Sequence, residues 1–172
     1  MKKENREKFL NLFYEIYPKL ERFVLTICFD RDDAKDVVSE TMITAYEQFD
    51  SLKNKQAFLS YVFTIASRIN SKNYKKRIRD KKYEELFIDK ISYKGLQPDD
   101  ETDIQILKES LNQLDEKSKE ALVMYEITGL AIKEIAEIQN SSISSIKQRL
   151  KRAREKLAKI MIAENNSIRS LQ

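Results

Sequence analysis

Residues 130–157 read LAIKEIAEIQNSSISSIKQRLKRAREKL, two amphipathic segments meeting at the polar corner Gln139-Asn140-Ser141-Ser142. Ile132, Ile135, Ala136 and Ile138 recur at helical spacing before the corner, and Ile143, Ile146, Leu150, Ala153 and Leu157 after it. A short helix, a tight corner and a longer helix make a helix-turn-helix. Ala136 is small where the two helices must approach closely. Asn140 falls where the corner needs a left-handed residue, which asparagine tolerates better than most. Ser144, Ser145, Lys147, Gln148, Lys151 and Arg152 lie off the apolar stripe of the second helix. Hydroxyls, an amide and cations on one face can hydrogen-bond base edges and phosphates in a major groove. The serines ahead of them can cap the helix, whose first amides can also meet a phosphate. The plain alternative is a helical hairpin with a solvated basic face.

Outward from this stretch, charge is segregated. Lys147 to Lys159 holds seven bases and one acid, a net +6, and Lys53 to Tyr83 holds ten bases and one acid, a net +9. Asp30 to Asp50 and Glu84 to Asp103 are each −5. The overall +4 over 172 residues conceals this arrangement. Two basic blocks between acidic ones predict two polyanion-facing surfaces on separate modules.

Upstream, apolar residues again recur at helical spacing. Leu10, Phe13, Tyr14, Tyr17, Leu20, Val24 and Ile27 form one stripe, with Pro18 as a possible kink within it. A second helix is expected to start near Asp32 or Asp33, carboxylates suited to a cap, and to bury Ala34, Val37, Val38, Thr41, Met42, Ala45 and Phe49. A third runs through Phe58, Tyr61, Val62, Ile65 and Ile69 and turns basic at Lys72, Lys75, Lys76 and Arg77. Periodicity then fades, and Gly95, Pro98 and Asp99-Asp100-Glu101 mark a linker. Beyond it, Ile104, Leu107, Leu111 and Leu114 share a face, and a helix from Asp115 ends at Gly129. The expected fold is all-α: two small helical domains, residues 1–81 and 104–163, joined by an acidic linker, 82–103, and followed by a polar tail, 164–172.

Composition narrows the chemistry. With no histidine and one cysteine, Cys28, there is no Ser-His-Asp or Cys-His catalysis, no imidazole ligand and no disulfide. Two glycines, Gly95 and Gly129, cannot build a Gly-rich phosphate loop. No signal peptide or membrane span is evident, so a non-enzymatic cytoplasmic protein without cofactor or metal is expected. Asp32, Asp36 and Glu40 stand at i, i+4 and i+8 and invite a metal reading. No second carboxylate motif completes a two-metal site, so a helix-start cluster or a protein-docking surface is the better reading. On the third helix, Phe58 and Tyr61 are expected in the core. Tyr74, among Lys72, Asn73, Lys75 and Lys76, is the ring best placed to stack on a single strand.

Together these residues resemble the small extracytoplasmic-function (ECF) sigma factors of the sigma-70 family. Asp33-Ala34-Lys35-Asp36-Val37-Val38-Ser39-Glu40-Thr41-Met42 is similar to the family's D-A-E-D-L-V-Q-E-T-F core, and Phe58 to Ala66 to its F-x-x-W-L-Y-x-I-A run. Glu134-Ile135-Ala136-Glu137 and Ile146 to Leu157 are similar to E-I-A-E and V-K-S-R-L-H-R-A-R-E-x-L. The resemblance spans roughly residues 9–162 and implies a role for each surface. Asp33, Asp36, Val37, Glu40 and Thr41 would dock on the β′ clamp helices of core RNA polymerase, whose β flap is a further partner. Arg68, Lys72, Asn73, Tyr74, Lys75, Lys76 and Arg77, with the loop Asp50 to Ala57, would hold the displaced strand at the promoter −10 element. Ser144, Ser145, Lys147, Gln148, Arg149, Lys151 and Arg152 would read the −35 element as duplex. An anti-sigma factor is an implied partner. A helix-turn-helix regulator acting without polymerase is the alternative. Three departures stand out. Tyr61 replaces the usual tryptophan, and Arg68 and Lys72 stand where asparagine and aspartate are common. Gln139-Asn140-Ser141-Ser142 replaces an L-G-I-P corner, from which a less firmly held second helix is expected.

Overall fold

A computed structural model describes residues 3–52, 54, 57–85 and 101–169. Helix α1 runs from Lys3 to Ile27 and continues through Pro18 without a break. The residue that starts the next helix is Asp30, rather than Asp32 or Asp33. Its carboxylate accepts the backbone N–H groups of Asp32 (2.9 Å) and Asp33 (2.8 Å), and α2 spans Arg31–Glu47. The acids that looked like caps are therefore first-turn residues, favourable there against the helix dipole. A single 3-10 turn, Phe49–Ser51, leads towards α3, Phe58–Glu85.

Phenylalanines join these elements. Phe9 stacks on Phe13 at 5.6 Å and meets Tyr46, Phe49 and Phe58 edge-on at 5.2, 5.4 and 5.7 Å. Phe23 packs on Phe63 at 5.2 Å. The buried face of α1 is centred on Phe9, Phe13, Ile16, Leu20, Phe23 and Val24. Tyr14, expected in the stripe, is 66% exposed. A stripe's centre follows from its period, but its edges depend on where the neighbouring helices lie. Tyr61, in place of tryptophan, is half-buried, and its hydroxyl donates to Gln48 Oε1 at 2.8 Å.

The second module holds α4 (Glu101–Asn112), α5 (Glu116–Glu126), α6 (Ile132–Ile138) and α7 (Ile143–Arg169). Asp115 caps α5 by accepting the Ser118 N–H at 3.0 Å. Gly129, at φ +69°, reverses the chain after α5, and the Leu130 N–H closes on the Met124 carbonyl at 2.9 Å. Leu111, Leu122, Val123, Leu130, Ile135, Ile146, Leu150 and Ala153 fill the core. No strand occurs among the described residues. Residues 86–100, which hold Gly95, Pro98 and most of the expected linker, lie outside the described residues, as do 170–172 of the tail. The modules touch: α1 packs against α5, and α3 against α6.

Candidate nucleic-acid interfaces

The corner of the helix-turn-helix is built from polar links. Asn140 has φ +46°, the left-handed conformation its position requires. Its N–H donates to the Glu137 carbonyl (3.2 Å) and that of Ser141 to Ala136 (2.9 Å), the paired bonds of a Schellman motif. Ser142 Oγ then accepts the Ser145 N–H at 3.1 Å and caps α7. At the other end of α6, the Ala131 N–H donates to Glu134 Oε2 at 2.7 Å. Gln139 is the residue that sequence reasoning missed. Its Nε2 donates to the Lys117 carbonyl of α5 at 2.9 Å, and its Oε1 accepts from Arg149 of α7. One side chain thus ties three helices together, so the expected loosening of the second helix is not what the structure shows. Hydrogen bonds stand where apolar packing and a rigid proline would. Gln139→Ala should lower the stability of this module by about 1–2 kcal/mol, read as a lower urea midpoint.

α7 presents its face as the periodicity requires. Ile146, Leu150 and Ala153 point inward, while Ser144, Ser145, Lys147, Gln148, Lys151 and Arg152 are exposed on one continuous arc. Arg149 sits at the edge of that arc, half-buried and bonded to Gln139, so it positions the helix rather than standing free on the exposed face. Between α7 and the start of α5 lies a cleft of about 350 Å³. Gln148, Arg149, Arg152 and Lys156 line it opposite Asp115 and Ser118. Burial pushes the Asp115 carboxyl up. Hydrogen bonds from Ser118 and from its own N–H, with the charge of Arg149, more than offset this and leave it below its ordinary value. Arg154 faces away: it pairs with Glu126 (2.7 Å) and stacks over Tyr125.

α3 carries the second cationic surface. Arg68, Lys72, Lys75, Lys76 and Arg79 line an open cleft of about 630 Å³ together with Ser67 and Ser71. Tyr74 is 58% exposed and Asn73 is half-buried. Arg77 departs from the group. It forms an ion pair with Asp33 of α2 and lies over the Phe29 ring, 4.5 Å from its centroid. Two residues expected to serve different partners are thus paired with each other. Of the loop Asp50 to Ala57, residues 53, 55 and 56 lie outside the described residues.

On α2, Asp36 and Glu40 are exposed, but Val37 and Thr41 are fully buried in the helical core. These two cannot touch a docked partner. They sit one residue after the exposed acids, about 100° further round the helix and on its buried face. In their place stands Ile43, 59% exposed, three residues beyond Glu40 and seven beyond Asp36. An apolar residue outside the core stripe was the available signal. A third surface is an apolar groove of about 340 Å³ between α4, α5 and α7, lined by Leu107, Leu111, Leu122, Ile127, Leu157 and Met161.

A cationic helix-turn-helix on one module and a cationic helix on the other are the features of a DNA-binding protein. Residues 12–80 match the family model for sigma-70 region 2, and residues 104–157 that for sigma-70 region 4. The chain is 24% identical over 147 residues to the ECF RNA polymerase sigma factor EcfG of Rhodopseudomonas palustris, covering 86% of this chain and 81% of that one. It is 28% identical over 162 residues to the ECF RNA polymerase sigma-E factor of Haemophilus influenzae, covering 87% and 85%. The chain belongs to the sigma-70 family, in its extracytoplasmic-function group, and is an RNA polymerase sigma factor acting in transcription initiation. The sigma factor RpoE of Bartonella quintana, solved with the anti-sigma factor NepR, matches with a TM-score of 0.72 at 26% identity over 90% of this chain and 97% of that one. CnrH, solved with the cytosolic domain of CnrY, shares the fold: TM-score 0.69 at 20% identity, over 92% and 90%. No helix among the described residues is long and apolar enough to cross a membrane.

Proposed function

We propose that the two modules divide promoter recognition between them. The exposed arc of α7, with Ser144, Ser145, Lys147, Gln148, Lys151 and Arg152, reads the −35 element as duplex, with Arg149 holding the helix in place. The cationic face of α3, with Arg68, Lys72, Asn73, Tyr74, Lys75 and Lys76, holds the displaced strand at the −10 element. Cations meet its phosphates and an exposed ring meets its bases. The acid row Asp36 and Glu40, with Ile43 beside it, docks on the β′ clamp helices. The apolar groove of the second module meets the β flap. No step is catalytic, and no cofactor or metal enters. The protein works in the cytoplasm, and an anti-sigma factor can hold it inactive, as NepR is named for the similar RpoE of Bartonella quintana.

The separation of two cationic faces onto modules that match regions 2 and 4 carries this reading. Duplex contacts specify position, whereas melting costs base stacking and therefore requires the polymerase, so the free chain should bind promoters weakly. Co-elution with core polymerase on gel filtration, followed by transcription from a cognate promoter, tests it. No association and no initiation would leave a polymerase-independent regulator as the better account. Asp36→Ala with Glu40→Ala should lower affinity for core polymerase by roughly tenfold and leave duplex binding unchanged.

A further inference from the structure

Among the described residues of α3, the last buried one is Ile69, yet Lys72, Lys75 and Arg79 of the cationic cleft come after it. No described core residue holds the stretch that carries these charges. Two side chains on the other side of the helix reach back to the body of the module instead. Asn70 and Arg77 are seven residues apart, within about 20° of each other round the helix, and both turn to the connection between α1 and α2. The Cys28 thiol donates to Asn70 Oδ1 at 3.4 Å. Arg77 pairs with Asp33 and lies over the Phe29 ring, 4.5 Å from its centroid. Arg68, Lys72, Lys75 and Arg79 stand about 140–200° round the helix from Asn70, so the cleft faces away from these contacts.

The connection is a firm support. The Cys28 N–H closes on the Val24 carbonyl at 3.0 Å, and Cys28 is buried. Burial is the main cause that pushes its thiol up to about 12, so it stays protonated and able to donate. Asp30 accepts the Asp33 N–H at 2.8 Å, which fixes the residue whose carboxylate meets Arg77. The neighbouring acids are answered elsewhere: Asp30 by the first amides of α2, and Asp32 by Lys35 at 3.1 Å. Asp33 is left for Arg77. Phe29 is an exposed ring outside the core, and the guanidinium across its face gives it a partner there.

We propose that Asp33 is a positioning residue: it holds Arg77 against the back of α3, over Phe29, and so fixes the cationic face opposite for an incoming strand. This role rests on the reading of α3 as the strand-binding helix. It takes Asp33 out of the docking acids and Arg77 out of the strand contacts, the places that the family resemblance implies for them. An ion pair this exposed adds little to global stability. Its effect is local. A helix end beyond its core anchors opens more readily than the rest, and a strand that must first order it is bound less tightly. Arginine suits the task, because a flat guanidinium can meet a carboxylate at its edge and a ring at its face at once.

The test uses the full chain assembled with core polymerase and a fluorescent mixed-sequence single strand of about 20 nucleotides, with core alone as the background. Asp33→Ala should weaken strand binding roughly threefold, although removing an acid beside a cationic face would by charge alone tighten it. Its affinity for core polymerase should match wild type, unlike that of Asp36→Ala with Glu40→Ala. Arg77→Ala should weaken strand binding roughly fivefold, with an unchanged slope of log affinity against log salt, because no phosphate contact is lost. A slope smaller by about 0.7 would make Arg77 a phosphate contact. Strand binding left unchanged or tightened by Asp33→Ala would remove its positioning role, and a lowered core affinity would return it to the docking surface. Each of these three results overturns the proposal. Arg68→Ala with Lys72→Ala separates the two readings. If that variant too binds the strand like wild type, the strand-binding reading of α3 fails; if it binds weakly while Asp33→Ala and Arg77→Ala do not, only the positioning role fails.

Discussion

Lys147→Ala combined with Arg152→Ala should weaken binding to a −35 duplex by roughly 100-fold, from about 1–3 kcal/mol per lost contact. Both side chains are exposed on the outward arc of α7, while Ile146, Leu150 and Ala153 on the opposite side anchor the helix to its module. Removing them leaves that packing intact, so the loss is of contact rather than of fold. If both meet phosphates, the plot of log affinity against log salt should also flatten by about 1.8, since each neutralised phosphate contributes about 0.9. Anisotropy titrations across a salt series read both quantities. An unchanged affinity and slope would mean that another face of the module meets the duplex. Affinity that falls with an unchanged slope would place the two side chains on base edges.

Phe9→Ala should destabilise the first module by about 3–5 kcal/mol, a large share of the 5–15 kcal/mol typical of a domain. The ring contacts α1, α2, the 3-10 turn and α3 through Phe13, Tyr46, Phe49 and Phe58, so its loss opens a cavity where four elements meet. Urea unfolding should show an early transition for this module and a later one for the helix-turn-helix module, whose core shares none of these rings. A loss below about 1 kcal/mol would mean that the site collapses around the gap. DNA binding by the second module should survive conditions that unfold the first.

The helix-turn-helix was legible because its signals are local. Asn140 needs φ above zero within one turn of chain, and the arc of α7 follows from a period of 3.6 residues. The two basic faces were legible for the same reason, since a run of cations along one helix remains a cationic surface wherever that helix packs. Reasoning failed where a residue's role depends on a distant neighbour. Val37 and Thr41 lie on the stripe that the helical period put in the core, and only the resemblance set them on the docking surface, where Ile43 stands exposed instead. Arg77 belongs to a basic run, yet Asp33, on another helix, claims it. Gln139 lies in a corner whose sequence promised looseness, and it holds three helices through partners at 117 and 149.

The order of residues alone was enough for an all-helical chain with two modules, a helix-turn-helix and two separated basic surfaces, because helical period and charge act within a few residues of chain. Tertiary structure was needed to pair Arg77 with Asp33 and to set Ser60, Ser67 and Ser71 against Glu137, Glu120 and Glu116. Those contacts join residues 44 to 77 positions apart. No local rule brings them together, and the cost of burying Glu120 exists only once two helices from different modules close over it.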